Sequence, residues 1–218
     1  MSVFEIDPLI LNVAPNLKLG ILTAKVQNTS HNKELWQKIS ELVKTIEKKY
    51  AISQVNSIPQ ISAQRNAYRA LGKDPSRYRG SAEALLRRVL QGKGLYKVNT
   101  IVDINNLISL KTLHPVGSYN LFQIKSPFIF GIGESGESYK GIGKAVVNIE
   151  KLPLFRDAEG PFGSPTSDSE RALITNETNR IMMVVIAFSG GDLVKSLKNA
   201  EEMLKEYAMA EEVVQTIQ

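Results

Sequence analysis

The feature that most constrains the fold is a change of hydrophobic period near the middle of the chain. Residues 32–110 carry apolar side chains at the spacing of amphipathic helices, whereas residues 115–188 contain short apolar runs that Gly and Pro interrupt. Helices and strands that are grouped in this way, without βαβ alternation, are typical of an α+β fold. The pattern predicts helices at Asn32–Tyr50, Ile61–Leu71, Ser81–Leu90 and Thr100–Leu110, and strands at Phe128–Phe130, Ala145–Ile149, Ala172–Thr175 and Ile181–Phe188.

The two ends of the chain carry patterns of their own. Three short apolar runs, which Pro8 and Pro15 separate, predict strands at Val3–Ile6, Leu9–Val13 and Leu19–Val26. A helical period returns at Asp192, and we expect it to continue over residues 192–218.

Composition excludes several classes of protein. The chain of 218 residues has no cysteine, so it has no thiol nucleophile, zinc–thiolate site or iron–sulfur cluster. No apolar run approaches the ~20 residues that span a bilayer. The first residues, MSVFEIDPLI, lack the basic start and apolar stretch of a signal peptide. We therefore expect a cytoplasmic protein without a membrane partner.

Positive charge is concentrated in one part of the sequence. Between Ile61 and Thr100, nine basic residues face only Asp74 and Glu83, whereas the whole chain has a net charge of +5. A solvated helical face is the ordinary explanation for a charge run. Charge of one sign, with Tyr68, Tyr78 and Tyr96 interleaved, favours a nucleic-acid surface instead, because aromatic rings stack on bases beside cations that bind phosphates. We predict RNA contacts at Arg65, Arg69, Lys73, Arg77, Arg79, Arg87 and Arg88.

Two familiar ligand-binding patterns are unsupported. Gly131–Gly136 satisfies GxGxxG, but a dinucleotide site requires a helix to begin there, and the next regular segment is the strand predicted at Ala145–Ile149. We interpret the glycines as a hairpin connection and predict no cofactor. The two histidines, His31 and His114, are far apart and have no ligand spacing, so we predict no metal site.

The densest polar segment is GPFGSPTSDSER, residues 160–171. Its hydroxyls, carboxylate and arginine suit a pocket that binds ribose or positions a water, and its glycines allow backbone amides to approach an oxyanion. Turn chemistry alone also explains this composition. Both interpretations stay open on these residues.

Three segments resemble a known family. TIVDINN at residues 100–106 and PVGSYN at 115–120 resemble the VVDITN…PLHAFD signature of the B3/B4 domain in the β subunit of bacterial phenylalanyl-tRNA synthetase. Residues 69–88 and the segment 160–171 are similar to freestanding B3/B4 proteins. The resemblance extends from about Arg65 to Phe188.

The resemblance implies an α+β fold in which a helix-rich N-terminal half packs on a β-sandwich. We expect one B3/B4-type domain over residues 1–218, with an N-terminal extension (1–60), a core (61–190) and a C-terminal helix (191–218). In the synthetase, the domain hydrolyses the ester of a wrong amino acid, chiefly tyrosine, from the tRNA 3′ end. The resemblance therefore implies a trans-acting aminoacyl-tRNA deacylase whose partner is mischarged tRNA.

The same resemblance places the site. It implies a pocket with the loop Ser164–Arg171 on one side, and with Asn105 and Tyr119 on the other. Arg171 is expected to hold Asp168 or to meet the terminal phosphate. The expected catalytic residues are Thr166, Ser167 and Asp168, and the expected substrate-binding residues are Asn105, Ser118, Tyr119, Ser164 and Arg171.

Two positions depart from the family pattern. The signature histidine falls on Gly117, which we expect to leave room in the pocket, and a family glutamate falls on Pro165. Both positions help to define the synthetase's editing pocket, so the resemblance does not carry tyrosine over as the substrate. The same departures support a non-catalytic tRNA- or RNA-binding module, and a domain that binds free amino acids is a third alternative.

Overall fold

The computed structural model of the chain describes residues 4–143 and 146–218. The helices are α1 (Pro8–Val13), α2 (Lys33–Lys49), α3 (Pro59–Ala70), α4 (Ser81–Leu90), α5 (Thr100–Thr112) and α6 (Leu193–Ala208). The strands are β1 (Phe4–Ile6), β2 (Lys18–Lys25), β3 (Val116–Asn120), β4 (Phe128–Ile132), β5 (Ser138–Lys140), β6 (Val146–Asn148), β7 (Pro153–Asp157), β8 (Gly160–Gly163), β9 (Arg180–Ala187) and β10 (Glu211–Ile217). The predicted α+β class is confirmed.

The strands form two four-stranded sheets and one hairpin. The central sheet has the order β10-β2-β9-β3, and its neighbouring strands are antiparallel. The outer sheet has the order β1-β4-β7-β8, in which β1 is parallel to β4. Strands β5 and β6 pair with each other. Since β2 lies between β9 and β10, the N-terminal segment of the chain is part of the central sheet.

Alternation along β9 divides the interior into two cores. Met182, Val184 and Ile186 face the outer sheet and pack with its aromatic residues, among them Phe130 and Phe155. The residues between them face the other way, toward α2, α5 and α6. A strand buried on both faces reads as a continuous apolar run, which is why 181–188 shows no polar alternation. The central sheet therefore has a helical layer on one face and the outer sheet on the other.

Three predicted elements differ from the structure. Residues 9–13 are helical because Pro8 occupies the first turn and the Asp7 carboxylate caps it, accepting from the Leu9 N–H at 2.8 Å. The strand expected at Ala172–Thr175 is replaced by a 3-10 turn at Glu170–Ala172 and irregular chain. The C-terminal helix ends at Ala208, after which β10 pairs with β2.

The glycine-rich segment 131–136 does not join two paired strands. It leads from β4, which pairs with β7, into the hairpin of β5 and β6. The hairpin predicted across this segment is therefore wrong in its partners, because the long-range pairing of β4 with β7 replaces it. Ala145, the first residue of the predicted 145–149 strand, and Val3, the first residue of the predicted 3–6 strand, lie outside the described residues.

Candidate functional site

Residues 164–168, here called the serine loop, follow β8 and are closed by their own hydrogen bonds. The Ser164 hydroxyl oxygen accepts from the backbone N–H of Thr166 at 3.3 Å and of Ser167 at 3.0 Å, and it donates to the Ser167 carbonyl at 2.8 Å. Short hydroxyl side chains commonly close turns in this way. These two amides are therefore engaged within the loop, and the expectation that the loop amides face an oxyanion is not met by them.

Asp168 ends the serine loop and is its only ionisable group. Its Oδ1 accepts from the Tyr119 hydroxyl at 2.9 Å and from the Ser164 backbone N–H at 3.0 Å. Burial raises the pKa of Asp168 to about 6, because the loss of water outweighs the two hydrogen bonds that favour the charged form. Among the described residues both bonds end on Oδ1, so Oδ2 is the oxygen available to a water or ligand.

Three tyrosines converge on the serine loop from different elements. Tyr119 of β3 reaches Asp168, Tyr68 of α3 shares a 2.8 Å hydrogen bond with the Thr166 hydroxyl, and Tyr139 of β5 donates to the Ser167 carbonyl. Burial raises the pKa of Tyr68 to about 12 and the pKa of Tyr119 and Tyr139 as well, the nearby Asp168 charge adding to both of the latter. All three are therefore neutral at physiological pH and keep a hydroxyl hydrogen to donate.

Gly117 and Gly163 make room for the ring of Tyr119. A Cβ built on Gly117 would lie 2.3 Å from the Tyr119 hydroxyl oxygen, and one on Gly163 would lie 2.4 Å from it. The ring packs edge-on against Phe155 and Phe162 at centroid distances of 5.7 and 4.9 Å. The space expected at Gly117 exists, but the chain's own tyrosine fills it.

Asn105 and Ser118 lie on the other face of the central sheet. The Ser118 hydroxyl donates to Asn105 Oδ1 of α5 at 2.9 Å. Ser118 and Tyr119 are successive residues of β3, so their side chains point to opposite faces. Asn105 and Tyr119 therefore do not form a common wall.

Arg171 is committed to a different acid from the one expected. Its guanidinium binds Asp157 in a bidentate pair with distances of 2.8 and 3.0 Å, and it also donates to the carbonyls of Gln123 and Gly160 at 3.0 Å. The Asp157 side chain is fully buried, and its pKa is lowered because these hydrogen bonds outweigh its burial. Arg171 thus holds the end of β7 and the start of β8 and does not hold Asp168.

Three of the seven predicted RNA-binding residues are bound to Glu83 in the protein interior. Glu83 of α4 has a side chain that is only 2% exposed, and Arg65 reaches both of its oxygens at 3.0 Å. Arg87 lies 2.8 Å and Arg79 3.3 Å from the same carboxylate. The prediction of an RNA contact at Arg65 is wrong, since its side chain is only 9% exposed.

Two of the remaining cations lie beside the half-buried ring of Tyr78. Arg69 and Arg77 are exposed, the Lys73 ammonium lies 4.5 Å from the Tyr78 ring centroid, and the Arg77 guanidinium lies 5.8 Å from it. In the described part of the chain, these three cations form no ion pair with a carboxylate. We call Arg69, Lys73, Arg77 and Tyr78 the basic surface.

A second cation–aromatic pair lies at the end of α4. The Arg88 guanidinium stacks 3.8 Å from the ring centroid of Tyr96, which is 66% exposed. Arg88 also donates to the Tyr96 hydroxyl and to the Lys93 carbonyl. This side chain is therefore held in place by Tyr96 at the surface.

The serine loop and the basic surface are connected directly. The Pro165 carbonyl accepts from the Ser81 N–H at 2.8 Å, which places the loop at the first turn of α4. The Thr166 hydroxyl meets Tyr68, the residue before Arg69. Both ends of the segment that carries the basic surface are thus anchored to the loop.

Sequence patterns missed the role of two of the tyrosines. Tyr68, which was expected to stack on bases, is 1% exposed and points inward. Its spacing from Ile61 and Gln64 marks the buried face of α3, and that spacing was the available signal. For Tyr139, the short strand β5 offers no comparable signal.

The described residues hold neither a candidate metal site nor a helix that could cross a membrane. They contain no group of three or more His, Asp or Glu side chains arranged to hold a metal ion. Within residues 4–143 and 146–218, no helix is long and apolar enough to cross a membrane.

Comparisons with known proteins place the chain in a family. Residues 63–208 match the family model described as the B3/4 domain. No curated protein matches the chain. Of 17 matching chains of known structure, one is an N-terminal fragment of the phenylalanyl-tRNA synthetase β-subunit from Pyrococcus horikoshii. The two are 12% identical with a TM-score of 0.49 over 99% of this chain and 50% of that one, so this chain spans half the length of the fragment.

Proposed function

Because the chain belongs to the B3/4 domain family, as its motifs predicted, we propose that it is a trans-acting aminoacyl-tRNA deacylase. The substrate is mischarged tRNA, and the reaction is hydrolysis of the ester at its 3′ end. The observation that carries the proposal is Asp168, a carboxylate of raised pKa, in a loop that hydrogen-bonds to Tyr68 and Ser81, which border a surface whose cations have no carboxylate partner among the described residues.

In this proposal the basic surface binds tRNA. Arg69, Lys73 and Arg77 have no carboxylate partner among the described residues, so their charge is available to phosphates. Tyr78 offers a ring to an unstacked base at the single-stranded 3′ end. The cations bound to Glu83 hold this surface in place.

Asp168 supplies the base. A water adds to the ester carbonyl while Asp168 Oδ2 takes its proton. The bond between the carbonyl carbon and the ribose oxygen then breaks, and that oxygen takes the proton back, which leaves a free amino acid and deacylated tRNA. An aminoacyl ester is already activated, so a carboxylate with a pKa of about 6 is a sufficient base.

Thr166 is the hydroxyl that we assign to the substrate. Tyr68 keeps its proton at neutral pH, and we assign to it the hydrogen of the 2.8 Å bond that it shares with Thr166, which leaves the Thr166 hydrogen for a ribose oxygen or the developing oxyanion. Ser164 and Ser167 shape the loop through the bonds described above.

The alternative is a non-catalytic RNA-binding module. One observation favours it: the amides of Thr166 and Ser167 are spent on Ser164, so the loop lacks the preorganised backbone donors of many acyl-transfer sites. In that case the basic surface acts alone.

A panel of mischarged tRNAs separates the two. Wild type should release amino acid from at least one of them, and Asp168→Asn should slow release about tenfold or more, which corresponds to ~1.4 kcal/mol in the barrier. Glu202→Gln, on the exposed side of α6, is the matched control and should retain the wild-type rate. If tRNA binds but wild type hydrolyses no member of the panel, the protein is the binding module.

A further inference from the structure

The ring of Tyr119 occupies the space directly inward of Asp168. The residue is 1% exposed, and its hydroxyl is bound to the catalytic candidate at 2.9 Å. Gly117 and Gly163 flank the ring so closely that neither backbone could carry a Cβ. A substrate group cannot enter this space unless Tyr119 leaves it.

Tyr119 is also held firmly where it lies. Phe155 and Phe162 contact the ring at edge-to-face geometry. Its hydroxyl shares Asp168 Oδ1 with the Ser164 amide, so an outward rotation would leave a buried carboxylate with one donor fewer. The ring therefore acts as a fixed wall of the site and not as a movable lid.

The outer side of Asp168 is the side that remains for a substrate. Thr166 and Ser167 are half-buried and reach the surface there, whereas Ser164 is buried behind them. An acyl group whose carbonyl is within reach of Oδ2 has its side chain either toward the outside or against the Tyr119 ring. The volume that the Tyr119 ring fills is not available to the acyl side chain.

We propose that Tyr119 is a specificity-determining residue that limits the site to aminoacyl esters with small side chains, such as glycyl, alanyl and seryl esters. The proposal places the acyl side chain on the inner side of Asp168, where Tyr119 fills the volume that an aromatic ring would need, so aromatic aminoacyl esters are excluded. This inference rests on the proposed deacylase function.

The test compares the rates of deacylation of Ala-tRNA and Ser-tRNA with those of Phe-tRNA and Tyr-tRNA. Wild type should prefer the small acyl groups by about tenfold or more, the scale on which a pocket discriminates by size. Tyr119→Phe keeps the ring and should keep this ratio, even if its absolute rates fall with the loss of the hydroxyl. Tyr119→Ala should raise the relative rate on the aromatic esters about tenfold.

A small-molecule control keeps the test decisive if the cavity variant is unstable. Phenol has the shape of the group that Tyr119→Ala deletes, so it should raise the melting temperature of this variant and restore its preference for small esters, with no effect on wild type. Tyr119→Leu, which opens less space, should give an intermediate ratio.

The outcomes separate this inference from the function on which it rests. Wild type that hydrolyses aromatic and small esters equally overturns the size limit and leaves the deacylase intact. A folded Tyr119→Ala that keeps the wild-type ratio does the same. If no ester is hydrolysed, the deacylase and the size limit are both rejected.

Discussion

The basic segment at residues 65–88 and the polar segment at residues 164–171 each contain an arginine that the sequence assigns to a ligand and the structure assigns to a buried acid. Arg65 is bound to Glu83, and Arg171 to Asp157. The two segments differ in which charged groups remain available to a ligand once these pairs have formed. The basic segment keeps surface cations that have no carboxylate partner among the described residues, whereas the polar segment keeps Asp168, whose Oδ2 accepts no hydrogen bond from those residues.

The difference shows that charged residues of the same type have two roles: some stabilise the fold by pairing with buried acids, and others stay available to a ligand. A buried charge without a partner is very costly, and the interior acids Glu83 and Asp157 are each paired with an arginine. The arginines that these acids recruit fix the geometry of the segment, and only the ones left over can meet a ligand. A charge count over residues 61–100 cannot make this division.

The largest effect is expected at the buried pair of the basic segment. Glu83→Ala leaves Arg65 buried without its partner and should lower the free energy of unfolding by about 3–5 kcal/mol. Urea denaturation measures this change. Arg69→Ala, at an exposed position on the neighbouring turn, should change the stability by less than about 0.5 kcal/mol. If both variants lost the same free energy of unfolding, the distinction between the buried arginine and the surface arginine would be wrong.

The next effect concerns the surface half of the same segment. Replacing Arg69, Lys73 and Arg77 together by Gln should weaken tRNA binding about tenfold and reduce the slope of log affinity against log salt by about 2 to 3, because fewer counterions are released. Filter binding over a salt series measures both quantities, and the unfolding curve should not move. Lys195, Lys198 and Lys205 replaced by Gln change the net charge equally on α6 and serve as the control. An unchanged slope in the first variant would make the basic surface merely solvated.

A pH profile tests the carboxylate of the polar segment. Since the pKa of Asp168 is raised to about 6, its base form is lost as the pH falls through that value. The deacylation rate should therefore fall about tenfold per pH unit below 6 and level off above it. Asp168→Asn should remove this step from the profile. A step that persists in Asp168→Asn belongs to another group.

The smallest effect is expected at Asn105, on the helical face of the central sheet. Asn105→Ala removes the acceptor of the Ser118 hydroxyl and should cost about 1 kcal/mol of stability. The deacylation rate should stay within about twofold of wild type, because the sheet separates Asn105 from Asp168. If the deacylation rate of Asn105→Ala fell as far as that of Asp168→Asn, Asn105 would be part of the functional site.

Much of the secondary structure was predictable from local patterns. The amphipathic period of α2, α4 and α5 and the apolar run of β9 fixed these elements closely. Errors occurred where a cap or a distant partner decided the outcome. Asp7 and Pro8 turn a short apolar run into α1, and pairing with β2 turns the end of the expected C-terminal helix into β10.

The candidate site was predictable only in part. The polar segment and Asp168 stood out in the sequence, as did the cations of the basic surface. The tyrosine partners of the serine loop did not, because Tyr119 is 49 residues away from Asp168 in sequence and Tyr68 reaches Thr166 from another layer. Arg171 is only three residues from the expected acid, Asp168, but it bonds to Asp157 on β7.

The sequence by itself determined the α+β class, the family and the polarity of the basic segment, because these depend on residue spacing over a few turns and on motifs of a few residues. Tertiary structure alone decided which cations are neutralised by buried acids, which face of the central sheet points toward Asp168, and which side chain fills the gap between Gly117 and Gly163. Those outcomes depend on burial and on contacts between distant segments. Desolvation selects the pairs that survive in the interior, and its strength at each residue is set only when the sheets and helices have packed.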